Sequence, residues 1–197
     1  MSPTVSIPLH IALRNCIVTS TSMAVGDAVC QRLEHTRDGT GTGEWCAERS
    51  KRMAIVGLFL SGPVSQWQHV FLERMFRGNH ARAVASKVAA GAAMAPAVLS
   101  ANFAFVGALQ GHDGAQIGSK LRRDVGPTWL AGACYWPFVL ALNFRLVPLE
   151  HRAVVSAAAG TAWHIYLSAQ ANKAVQVQVQ VPVRVPVVLP EGAEHPE

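Results

Sequence analysis

The residues able to carry chemistry in this chain are few and widely spaced. Asp27 and Gln31 are four apart, so on a helix they share a face, near the end of an apolar stretch. A carboxylate there either marks the interfacial end of a membrane helix or faces partner helices and a wet path between them. Asn143 and His164 lie inside two further apolar runs, where a polar side chain is costly unless another helix satisfies it. Such a set is suited to hydrogen bonding and solute handling rather than to making bonds. The sequence has no nucleophile–base pair and no His-Glu-x-x-His pattern. Its four cysteines, Cys16, Cys30, Cys46 and Cys134, show no Cys-x-x-Cys spacing and read as thiols packed like small hydrophobes. The Gly-Thr run at 39–43 lacks the Lys-Ser/Thr ending of a phosphate loop and reads as a connector. No catalytic residue, metal or cofactor is expected.

The elements that must position these groups are apolar. Of 197 residues half are hydrophobic and 15% charged, and mean hydropathy is +0.23. A soluble domain carries about a quarter charged residues, so the composition points to an integral membrane protein. The net charge of +5 falls between apolar runs, where topology and anionic headgroups account for it. With no groove-reading motif beside it, direct nucleic-acid binding is not expected. The partner implied first is the lipid bilayer, and a second copy of the chain is another that this reading admits.

Five runs stand out, at 11–31, 53–72, 83–109, 128–144 and 153–169. They predict an all-α membrane bundle of four to five kinked helices, one domain over 1–173. Gly62-Pro63 breaks the second run, and Gly57 with Ser61 offers a small surface for close packing. The third run is rich in Ala and Gly, and its Lys87 is expected to snorkel to the interface. Residues 110–127 read as a loop with a short surface helix, ending at Gly126-Pro127. Trp136-Pro137 reads as a structural kink. Arg145, Pro148, Glu150 and Arg152 form a short polar hinge that makes the last two runs a hairpin or one broken helix. Trp129, Tyr135, Trp136, Trp163 and Tyr166 read as an interfacial belt or as core, the belt being the default for at least two. Lys120, Arg122, Arg123, Arg145 and Arg152 read as topology anchors or as a basic surface for a partner. The segment 174–190 alternates Val with Gln, but Pro182, Pro186 and Pro190 demote it to an edge strand or extended segment. It opens a low-complexity tail, 174–197, expected to be poorly ordered.

Several of these residues recur in one order. Gly26-Asp27 with Gln31, Arg52, Gly62-Pro63 with Leu72, Trp136-Pro137, Asn143-Phe144, Val147-Pro148 with Arg152, and Trp163-x-x-Tyr166-Leu167-Ser168 resemble the Mpv-seventeen family, which includes the twenty-two-kilodalton peroxisomal membrane protein. The likeness runs from about residue 11 to 173, and the opening is most similar to the mitochondrial like-protein-two branch. It implies a small helical protein of four spans in the mitochondrial inner membrane or the peroxisomal membrane. It also implies small-solute permeation, maintenance of mitochondrial DNA, or assembly of the mitochondrial ribosome, which would then be a partner. Some polar family positions differ here: 90–92 is Ala-Gly-Ala, Leu140 replaces a glutamine, Gln66 and Gln68-His69 replace a histidine and a Trp-Tyr pair, and His164 replaces an asparagine. If those positions line a pore, the pore of this chain is drier than its relatives' or absent. Two functions follow as expectations: a channel-like protein or its regulator, and a membrane-bound assembly factor.

Overall fold

The computed structural model describes residues 8–37 and 45–179. It contains α1 (Leu9–Arg37), α2 (Ala47–Val56), a π-helical turn (Gly57–Ser61), α3 (Gly62–Met75), α4 (Ala81–Leu109), α5 (Gly114–Leu146) and α6 (Leu149–Val179). No strand occurs among the described residues. The all-α bundle is therefore as the sequence predicts.

α2, the π turn and α3 are one continuous rod, and Gly62-Pro63 explains its irregular middle. Proline lacks the N–H for an α-helical bond and its ring crowds the carbonyl four residues earlier. Here the ladder widens just before it, and the Gly62 N–H bonds the Gly57 carbonyl five residues back. The rod absorbs Pro63 without breaking.

Counting the rod once, five helical segments run alternately between two ends of the bundle. One end gathers the start of α1, the end of α3, the start of α4, the end of α5 and the start of α6. Arg14 there donates to the Glu150 carbonyl at 2.9 Å and Lys87 bonds Glu73 at 2.7 Å. The other end gathers the remaining helix termini. α1 packs chiefly on α6 and the α2–α3 rod, and α4 on α5. The first and last helices are thus the main neighbours.

Two apolar clusters, one around Met53, Val56 and Phe103 and one around Leu72 and Phe144, share the interior with polar groups, and α1 is organised inside out. Leu9, Leu13, Ile17, Val25, Val29 and Leu33 are exposed at roughly four-residue spacing along α1, whereas Asn15, Thr19, Ser22, Asp27 and Gln31 are buried. Phe59, Trp67, Leu130, Phe138 and Leu142 extend the apolar exterior. Water would drive the reverse arrangement; hydrocarbon favours this one, because buried polar groups then find partners on other helices. α4 and α5 are long and apolar enough to cross a membrane by length and composition. α1 and α6 owe their lower hydropathy to the polar residues on their inner faces.

Three local expectations change. The segment 110–127 is not a loop with a surface helix. Asp113 accepts from the Gln116 N–H at 2.8 Å while the Gln116 side chain accepts from the Asp113 N–H at 3.0 Å, and this capping box starts α5 at once. Pro127 then lies inside α5; its fixed φ suits the helix, and the bond it forfeits is to the carbonyl of Arg123, an exposed position. The Val-Gln segment is helical as far as Val179, since extending an existing helix is cheap; residues 180–197 lie outside the described residues, as does the Gly-Thr run at 39–43. The aromatic belt gives way to packing: Tyr135 and Trp136 of α5 meet Trp163 of α6, the first stacked and the second edge-on, and Trp163 tilts against Tyr166, with centroids 5.1–6.2 Å apart.

Candidate functional site

The buried polar residues separate into two charged clusters, one at each end, and an uncharged cavity between them. Asp27 and Gln31 belong to the first cluster. Asp27 is fully buried. Its Oδ1 accepts from Arg49 Nε at 2.8 Å and from Ser168 Oγ. Its Oδ2 accepts from Gln31 Nε2 at 2.8 Å and Ser50 Oγ at 2.7 Å. Gln31 also accepts from the Cys46 N–H at 2.8 Å, anchoring the residue before α2. Arg49 reaches Glu34 at 2.6 Å and Ser168 at 3.0 Å. One carboxylate thus takes four donors from α1, α2 and α6. Asp27 is neither an interfacial marker nor a wall of the cavity, but the pin through three helices.

Glu73, at the end of α3, forms the second cluster with Lys87 and Arg152, each bonded to its Oε2. Lys87 also donates to the Gly78 carbonyl at 2.6 Å, and its nitrogen and the Arg152 guanidinium lie 5.4 and 5.3 Å from the Phe144 ring centre. Lys87 is fully buried and does not snorkel. Burial alone would raise the Glu73 carboxyl, but hydrogen bonds from the two cations outweigh it and hold it below the ordinary value.

Asn143 and Arg152 lock the hinge. Asn143 donates to the Arg152 carbonyl at 2.9 Å and to Ser156 Oγ at 2.7 Å, and Arg152 Nε donates to the Val147 carbonyl at 2.9 Å. These bonds hold the break at Val147-Pro148 and fold α5 and α6 into a hairpin. Arg152 is therefore an internal strut and not a partner-binding cation. Lys120 is likewise buried, 3.3 Å from Asp124 and over the Phe103 ring. Arg123 pairs with Asp124 at 2.7 Å from an exposed position, and Arg122 and Arg145 are exposed.

The cavity lies between the clusters and has a volume of about 200 Å³. α1, the π turn, α3, α4, α5 and α6 all contribute to its wall. The polar lining includes Thr19, Gln68, His69, Asn102, Ser156 and His164, and the apolar lining includes Trp129, Trp136 and Trp163. His164 is the one member of the expected polar set on this wall; Asp27, Gln31 and Asn143 are not. Pro137 also lines it, so the Trp136-Pro137 kink shapes the chamber. Gly91, Ala92 and Leu140, where the sequence departs from its family pattern, are wall positions too.

Hydrogen-bond accounting sets the histidine tautomers. His69 Nδ1 lies 2.7 Å from the Ser65 carbonyl and so donates to it. Ser156 Oγ receives Asn143 and is left to donate to His69 Nε2 at 3.3 Å, which fits a neutral imidazole. Ser22 donates to the Ala157 carbonyl at 2.7 Å, so His164 Nδ1 donates to Ser22 at 3.0 Å. His164 Nε2 then has no hydrogen-bond partner among the described residues.

Sequence reading missed Arg49, Ser50 and Ser168 around Asp27, and Glu73 with Lys87. A signal existed: a carboxylate facing the bundle demands a cation, and Arg49 lies just ahead of the second run. The described residues contain no group of three or more His, Cys, Asp or Glu able to hold a metal, and the four cysteines stand as separate thiols.

Comparison with known proteins gives the lineage. The family model described as Mpv17 / PMP22 family matches residues 107–168. The mitochondrial inner membrane protein Mpv17 of Xenopus laevis is 33% identical over 80% of this chain and 88% of its own length. That of Danio rerio is 31% identical over the same shares, and the protein sym-1 of Neurospora crassa is 28% identical over 79% and 89%. No solved structure matches. With such identity along most of both chains, the chain belongs to the Mpv17 / PMP22 family, as a protein of the mitochondrial inner membrane.

Proposed function

We propose that this protein admits small solutes to the interior of the membrane, as a channel-like conduit or its regulated equivalent. The observation that carries the reading is the cavity. A helical bundle whose role was only to be anchored would gain stability by filling about 200 Å³ with side chains. Here five helical segments leave the space open and turn hydroxyl, amide and imidazole groups onto it. The charged clusters at the two ends are suited to hold the helices around the chamber.

The assembly-factor reading draws less support. It leans on the basic residues 120–123, of which Lys120 is buried and Arg123 is engaged with Asp124.

The test is flux of small solutes from liposomes holding the purified protein. Wild-type protein should render them leaky. Ala92→Phe, which places a ring in the chamber, should cut the rate at least about tenfold. Sealed vesicles around well-folded wild-type protein would overturn the reading.

A further inference from the structure

We infer that the cavity is a binding site for a small uncharged molecule with both a hydrogen-bond donor and an acceptor, and that it discriminates against ions. This deepens the solute reading and rests on it for its physiological meaning, though not for its test.

The first ground is charge. No Asp, Glu, Lys or Arg lines the cavity among the described residues. The inner charges are consumed elsewhere, Asp27 with Arg49 and Glu34 at one end, Glu73 with Lys87 and Arg152 at the other. An ion entering the chamber would lose its hydration and meet no countercharge, which is costly in a low-dielectric interior.

The second ground is unused hydrogen-bonding capacity. The Gln68 amide makes no hydrogen bond to a described residue, and it lies against Gly91, where its nitrogen is 3.7 Å from where a Cβ would stand. His164 Nε2 is unpartnered in the same sense, its Nδ1 being committed to Ser22. Gln68 offers a donor and an acceptor and neutral His164 a further acceptor. A neutral amide-like edge answers all three.

The third ground is size and shape. Trp129, Trp136 and Trp163 present indole surface to the chamber. An apolar cavity of about 150 Å³ is known to hold benzene, so 200 Å³ suits a single ring bearing one polar substituent. The ligand class is thus a small neutral ring or comparably compact molecule with an amide-like edge.

Three probes of nearly equal shape separate the possibilities: benzamide (neutral), benzoate (anionic) and benzamidine (cationic). Each is titrated calorimetrically into the detergent-solubilised full chain, against a detergent blank. Benzamide should bind at least about tenfold more tightly than either ion. Ala92→Phe should abolish benzamide binding, and Gln68→Leu should weaken it about tenfold with little change in thermal midpoint. Equal binding of the three probes, or benzamide binding indifferent to both substitutions, would overturn the inference. So would absence of benzamide binding to wild-type protein that still renders liposomes leaky, which leaves the solute reading standing. Neutral-selective binding with sealed liposomes would do the opposite, retaining the site and removing the conduit.

Discussion

Asp27 is a fully buried carboxylate with four donors, and its partners are more exposed to mutation than it is. Arg49→Met removes the cation and leaves the charge behind. Breaking such a pair from one side costs about 3–5 kcal/mol, so Arg49→Met should lower the thermal midpoint far more than Arg122→Met, at an exposed position. Joint replacement, Asp27→Leu with Arg49→Met, should recover part of the loss, because no unpaired charge then remains. Glu73 gives a pH dependence of definite sign. Its folded value lies below the ordinary 4.5, so its contribution is complete above that value and is lost as pH falls through the depressed one. The stability gap between wild type and Glu73→Gln should hold above about pH 4.5 and shrink as the pH is taken below it in a series of thermal melts. Reading residues alone picked out Asp27, Gln31, Asn143 and His164 as polar groups in or at the ends of apolar runs, and left Asp27 open between a helix end and a buried carboxylate. It did not divide them between clusters, hinge and cavity, because that division depends on which distant helix supplies the partner: Ser168 for Asp27, Ser22 for His164.

Helices in this protein approach as closely as backbones allow, and glycines mark where. A Cβ on Gly57 would stand 2.6 Å from Ser20 Cα, and one on Gly62 2.8 Å from Cys16 Cα, so α1 crosses the π turn backbone to backbone. A Cβ on Gly26 would stand 2.7 Å from His164 Cβ, where α1 meets α6. Gly57→Ala must push helices apart and should cost about 1–3 kcal/mol. Gly118→Ala, with open space around it in the second turn of α5, should instead gain about 0.5–1 kcal/mol by helix propensity. Paired thermal melts decide the contrast. Helix existence was legible from the apolar runs, and Gly57 was legible as a packing position from its small neighbour Ser61. Helix ends were less so. Gly126-Pro127 resembles a start, yet the capping box at Asp113 had already begun the helix. The Val-Gln alternation resembles a strand, yet α6 simply continues into it.

At the scale of the whole molecule, the arrangement of apolar exterior and polar interior defines the solvent the fold requires. Nitroxide labels at Leu13, Ile17 and Val25 should be open to oxygen and shielded from a water-soluble nickel relaxant in bilayers, while cysteines placed at Asn15, Thr19 and Ser22 should resist labelling in the folded protein. The reverse accessibility would mean that α1 does not face lipid. The main neighbour of α1 is α6, made more than a hundred residues later in the chain. Until α6 arrives, α1 holds Ser22 and Asp27 without the partners that α6 supplies, Ala157 and His164 for the first and Ser168 for the second. The polar face of α1 is therefore closed only once α6 is in place, whatever the order in which the helices between them pack. A chain cut short before Ser168 would be recognisable to membrane quality control by the polar face it could never close.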